Sequence, residues 1–103
     1  MNKLTKFQQK VYFLTKKIPQ GKVSTYKEIG RKIGKRGQIY RAVGVALKKS
    51  PGLPKIPCHR VINSSGFVGQ FNQGIKQKIK LLKKEGIEIK KNKINLKKYL
   101  FKF

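Results

Sequence analysis

The chain has 103 residues, with 27 lysines and arginines against 3 acidic residues, a formal charge of +24. That length suits one domain, expected over 1–103, with a single modest core, and no run approaches the ~20 apolar residues that cross a bilayer. One cysteine excludes an internal disulfide and a multi-thiolate zinc site; with no apolar signal segment before Thr5, a free thiol in a reducing cytosol is expected.

Glu28, Glu85 and Glu88 cannot balance this charge. A polyanionic partner is implied, nucleic acid first and an anionic membrane surface second. Lysines run along the whole chain rather than in one tail. That distribution points to a folded domain with a basic surface, not a disordered arm.

Thr5-Lys6-Phe7-Gln8 reads as a capping box opening a first helix. Phe7, Val11, Leu14 and Ile18 form its apolar stripe, and Pro19 and Gly21 stop it. Thr25 to Glu28 reads as a second capping box, with Ile29 and Ile33 turned inward. After a turn at Gly34 to Gly37, Ile39, Ala42, Val43, Ala46 and Leu47 give a third helix one apolar face. Two short helices around a glycine-containing turn form a helix-turn-helix pattern. Arg41, Val45 and Lys48 then share the outward, recognition face, and Gly44 permits close approach of another backbone.

Pro51, Pro54 and Pro57 make the next stretch extended or looped. Ser64-Ser65-Gly66 is a turn, and Phe67 to Phe71 a wing-like loop. A last long helix follows Gly74, with Ile75, Ile79 and Leu82 on one face and Gly86 at its end. In the tail, Ile87 and Ile89 are expected to pair with Ile94 and Leu96 as a small β-ribbon, with Tyr99 and Phe101 packing back on the domain.

Pro57-Cys58-His59-Arg60-Val61 holds the only cysteine and the only histidine. A thiolate is the nucleophile, and the surrounding cations and His59 favour it. Glu85 lies four residues after Leu81, at a helix C-terminus where a carboxylate opposes the macrodipole. Turned inward it needs a partner, and a histidine N–H is a natural one. Cys58, His59 and Glu85 then form a nucleophile, base and orienting acid; a small buried cysteine and a solvated glutamate are the plainer alternatives.

These residues resemble the C-terminal domain of the methylated-DNA–protein-cysteine methyltransferases, the O6-alkylguanine-DNA alkyltransferases. Pro57 to Val61 carries that family's Pro-Cys-His-Arg-Val signature. Gly21 to Tyr26, Arg41-Ala42-Val43-Gly44, Ser64-Ser65-Gly66 with Val68-Gly69, and Leu81-Leu82 before Glu85-Gly86 extend the likeness over most of the chain. The resemblance implies a mainly α, winged helix-turn-helix-like domain with a short β-ribbon tail. It implies that Cys58 accepts the alkyl group, that His59 activates the thiol through a water, and that Glu85 orients the imidazole. Tyr26 would assist the leaving guanine, and Arg41 would fill the gap left by a flipped nucleotide. Gly44, Lys48 and Arg60 join Tyr26 and Arg41 as the expected DNA-binding set. Val61, Ser65, Val68, Phe71 and Ser50 are the expected pocket residues. The family usually has Asn where Ser50 stands and often Tyr where Phe71 stands, and its two-domain members carry a further N-terminal domain.

The expected function is repair of O6-alkylguanine in double-stranded DNA by one irreversible alkyl transfer to Cys58. The expected protein is a monomer without cofactor or metal, in the cytoplasm with the nucleoid. A non-catalytic alkyltransferase-like lesion binder and a basic nucleoid-packaging protein are the rivals. The first commonly carries another residue in place of the acceptor cysteine, and the second would show no preference for alkylated DNA.

Overall fold

A computed structural model describes residues 4–34, 39–50, 55–69 and 74–103. The first helix, α1 (Lys6–Lys17), starts at a closed capping box. Thr5 Oγ1 accepts from the Gln8 amide at 3.0 Å, and Gln8 Oε1 accepts from the Thr5 amide at 2.9 Å. Strand β1 (Ser24–Thr25) runs directly into α2 (Tyr26–Ile33). Here the expected second capping box is only half made. Thr25 Oγ1 accepts from the Glu28 amide, but the Glu28 carboxylate turns to the Arg31 guanidinium, one turn on, at 2.8 Å. A charged acceptor and a guanidinium outcompete a carboxylate–amide bond.

Helix α3 (Ile39–Lys48) packs across α1 and α2. A Cβ on Gly30 would stand 2.7 Å from Ile39 Cγ2, so only glycine lets α2 and α3 come this close. Val43, Ala46 and Leu47 are buried as expected, whereas Ala42 is exposed. The contact runs over one narrow stripe, and Ala42 lies at its edge. The turn expected to end at Gly37, and the wing beyond Gly69, including Phe71, lie outside the described residues.

A 3₁₀ turn, Cys58–Arg60, leads into β2 (Val61–Ile62). β2 pairs in parallel with β1, Ser24 opposite Val61 and Thr25 opposite Ile62. No local pattern signalled this pairing. It divides the interior, because successive strand residues face opposite ways. Val61 joins the cluster formed by α1, α2 and α3, while Ile62 joins Val23, Val68, Leu82, Ile87, Ile94 and Tyr99.

Helix α4 (Ile75–Lys84) buries Leu82 and half-buries Ile79, but leaves Ile75 42% exposed. Lys78, one turn on, is instead fully buried. The tail also departs from expectation. Its ribbon shrinks to one antiparallel bridge, Lys90 with Lys93, around Lys91 and Asn92 at positive φ. Leu96 instead begins the short helix α5 (Leu96–Tyr99), because the Asn95 side chain caps it by accepting from the Lys97 amide. Tyr99 is buried, and Phe101 packs on the three-helix cluster as expected. The Val23 carbonyl accepts from the Phe101 amide at 2.7 Å and tethers this end beside β1. At the Asn63–Gly66 turn, Gly66 has φ +96°, and a Cβ there would meet the Ile94 carbonyl at 2.9 Å. Among the described residues the result is a mainly helical domain with one short parallel strand pair.

Candidate active site

The parallel pairing of β1 and β2 brings two turns together. Tyr26 opens α2 directly after β1, and Cys58 opens the 3₁₀ turn directly before β2. Both border a cavity of about 670 Å³ whose far wall is α3, with Arg41, Gly44, Val45 and Lys48. Cys58 is a free, partly exposed thiol.

Behind Cys58, the 3₁₀ turn points His59 inward, where it is fully buried. His59 Nε2 lies 3.0 Å from Glu85 Oε2. An ionised carboxylate only accepts, so Nε2 carries the hydrogen of the neutral ring, and Nδ1 holds a lone pair. Nδ1 is buried with no protein partner among the described residues. Burial holds the imidazole below its ordinary pKa of 6.5, against the opposing pull of Glu85, with Arg60 and Lys78 adding to the depression. The ring is therefore neutral near neutrality and can act as a base.

Glu85 ends α4, and its carboxylate is gripped twice. Arg60 Nε donates to Oε1 at 3.0 Å, and a second guanidinium nitrogen donates to Oε2 at 2.6 Å. Burial raises the carboxyl pKa, but hydrogen bonds from Arg60 and His59, and the charges behind them, outweigh it and leave it below 4.5. The remaining Arg60 nitrogen donates to the Ile18 carbonyl at 2.9 Å. Arg60 was expected on the DNA-binding surface. Its guanidinium instead faces inward, 14% exposed, because the carboxylate that orients His59 needs a cation beside it.

The expected residues thus divide. Cys58, Tyr26, Arg41, Gly44 and Lys48 share one cavity. His59 and Glu85 stand behind it. Ser65 borders a neighbouring cavity of about 530 Å³ with Ser64, Lys27 and Arg31, and Tyr26 and Tyr40 border both. Val61 and the backbone of Val68 were expected at the pocket; both side chains are fully buried, and neither residue lines the two cavities. The Val68 amide is already used by the Asn92 carbonyl at 2.9 Å. Ser50, also expected at the pocket, has a buried Oγ without a hydrogen-bond partner among the described residues.

Two residues stand beside the site that were not anticipated. Lys78 Nζ donates to the Val61 carbonyl at 2.8 Å and lies 5.9 Å from the centre of the Tyr26 ring. Burial lowers its pKa to about 8, although the Cys58 charge pulls the other way. Its one signal was a lysine four residues before Leu82 on an apolar face, indistinct among 27 cations. Tyr40 is the second, an exposed ring on α3 at the cavity mouth. The Tyr26 phenol is raised above 10.0 by burial and then by Cys58, so it stays protonated as a donor.

A free cysteine that faces α3 across a cavity, with a buried histidine–glutamate pair behind it, is a thiol site set against an exposed helix. Residues 6–87 match the family described as 6-O-methylguanine DNA methyltransferase, DNA binding domain, and the chain belongs to it. It is 47% identical over 83 residues to a methylated-DNA–protein-cysteine methyltransferase of Saccharolobus islandicus, covering 81% of this chain and 52% of that protein. It is 38% identical over 91 residues to a bifunctional methyltransferase/endonuclease of Picrophilus torridus, covering 88% of this chain and 30% of that protein. The chain therefore spans about half or less of the length of these relatives. Among solved structures, S. pombe Atl1 bound to damaged DNA containing O6-carboxymethylguanine superposes with a TM-score of 0.86 at 37% identity, over 99% of this chain and all of that one. Mycobacterium tuberculosis OGT in complex with DNA gives 0.76 at 40% identity, over 82% of this chain and 51% of that one.

Proposed function

We propose that this domain repairs O6-alkylguanine in double-stranded DNA by moving the alkyl group to Cys58 once. The observation that carries this reading is Cys58 at the wall shared with Tyr26 and Arg41, backed by the His59–Glu85 pair. A target atom inside a duplex is reached only after the nucleotide is extruded. Arg41 on the exposed face of α3, beside a cavity of a size to take a base, supports this reading. Ser64, Ser65 and the cations around the second cavity suit the backbone phosphates, whose recognition is independent of sequence.

The chemistry follows from the protonation states. His59 Nδ1 takes the Cys58 proton through a water, and the thiolate attacks the alkyl carbon. A carbon–sulfur bond forms as the carbon–O6 bond breaks. Its electron pair stays with guanine, which is protonated with help from the Tyr26 hydroxyl. The thioether does not leave again, so each molecule acts once. A protein acting on DNA in this way belongs with the nucleoid in the cytoplasm.

A non-catalytic lesion binder is the second reading, favoured by the end-to-end match to Atl1. The two separate on intact-protein mass after mixing with a duplex carrying one O6-methylguanine. A gain of one methyl on the peptide with Cys58, absent in Cys58→Ala, supports transfer. No gain with lesion-selective binding overturns it in favour of the second reading.

A further inference from the structure

Three aromatic rings are strongly exposed among the described residues: Phe13, Tyr40 and Phe67. Lysines cover two of them. Lys17 Nζ lies 4.5 Å from the Phe13 ring centre, and Lys93 Nζ 4.8 Å from that of Phe67. Tyr40, 44% exposed, pairs with no ring or cation among the described residues. The uncovered ring is also the one that borders both cavities.

Its place on α3 is specific. Tyr40, Gly44 and Lys48 follow one another at i, i+4 and i+8, so they form one ridge of the helix. Gly44 leaves a notch in that ridge, where an added Cβ would stand 4.0 Å from the Tyr26 ring. Arg41 stands on the neighbouring ridge beside Tyr40. Tyr40 lies about 6 Å along the axis from Gly44. Tyr40 and Cys58 border the same cavity, so a nucleotide drawn in toward Cys58 would pass beside the Tyr40 ring.

We propose that Tyr40 is a second stacking residue, whose ring packs on a base next to the extruded nucleotide while Arg41 fills the gap. This rests on the DNA-repair reading above. Every base has a π-face, so such a contact is tolerant of sequence. It acts only once the stack has opened, and therefore strengthens binding to a lesion that flips easily more than binding to intact duplex.

The test compares the unaltered protein with Tyr40→Ala and Tyr40→Phe. Each is titrated with a plain duplex and with the same duplex carrying one O6-methylguanine, and single-turnover methyl transfer is followed against protein concentration. A melting curve checks each fold, which an exposed side chain does not support. The expected result is about tenfold weaker lesion binding in Tyr40→Ala. Binding to plain duplex should stay within about twofold, and Tyr40→Phe should restore the loss. The transfer rate at saturation should change less than the concentration giving half of it.

Unchanged lesion binding in Tyr40→Ala overturns the proposal. So does an equal loss on both duplexes, which marks an ordinary surface contact, or a loss that Tyr40→Phe does not repair. In all of these the unaltered protein still prefers the lesion. If the unaltered protein shows neither preference nor transfer, the repair reading itself fails and takes this proposal with it.

Discussion

His59 Nε2 and Glu85 Oε2 stand 3.0 Å apart across 26 residues of sequence, and that contact sets which imidazole nitrogen faces the chemistry. With the hydrogen held at Nε2 by an acceptor, Nδ1 is left as the base. Exchanging Glu85 for Gln keeps the shape but removes the charge. Glu85→Gln should slow methyl transfer about a hundredfold. Affinity for lesion duplex should stay within about twofold, because the carboxylate lies behind the cavity rather than in it. Stopped-time mass analysis and a binding titration give the two numbers; equal rates would remove Glu85 from the relay.

Arg60 spends its guanidinium on Glu85 and the Ile18 carbonyl. Arg60→Ala strips a carboxylate of its cation in a mostly buried place and should cost about 3 kcal/mol. It should also slow transfer. A residue holding a DNA phosphate would instead lower the salt slope of binding by about 1 on removal. Arg60→Ala should leave that slope as it was; a drop of about 1 would return Arg60 to the DNA surface.

Arg41 is exposed on α3 beside the cavity. Arg41→Ala should reduce lesion binding and transfer more than plain-duplex binding, since a residue that enters the stack acts after the first electrostatic encounter. Parallel losses on both duplexes would contradict that role.

His59 and Glu85 both titrate below their ordinary values, 6.5 and 4.5. A group depressed by folding takes its proton more readily in the unfolded chain. Its contribution is complete above the ordinary value and is lost as pH falls through the folded one. Stability should decline below about pH 6.5 as His59 is protonated, and again below about pH 4.5 with Glu85. Thermal melts down this range test it, and Glu85→Gln should lack the lower step.

Lys78 falls from 10.5 to about 8 on folding, with burial the main cause. Between those values the unfolded chain binds the extra proton, so this lysine adds stability as pH rises from about 8 to 10.5. The gain is roughly 3 kcal/mol. Every exposed lysine also loses charge in this range, so the comparison is with Lys78→Met. The unaltered protein should gain on that variant as pH rises, measured by denaturant unfolding at each pH. A constant difference would mean that folding does not penalise the Lys78 charge.

Much of this domain was legible in local pattern. The capping box at Thr5, the stripe of Val11, Leu14 and Ile18, and the alternation of buried and exposed positions on α3 are decided within a few residues. So are the rare pair Cys58-His59 and the helix-end position of Glu85. Local rules failed where two of them competed within a few residues. Glu28 preferred Arg31 to the cap, and Asn95 turned an expected strand into a helical start.

The positions of Arg60, Lys78 and Val61 depended on contacts that no window of sequence contains. The two-residue pairing of β1 with β2 set Tyr26 beside Cys58 and turned Val61 into the core. Arg60 looked like any cation of a +24 chain until folding put a carboxylate within 2.6 Å of it. Periodicity tells which face of an element is apolar. Whether a charged side chain leaves water depends on whether another part of the chain supplies its partner, and that is settled only when the elements meet.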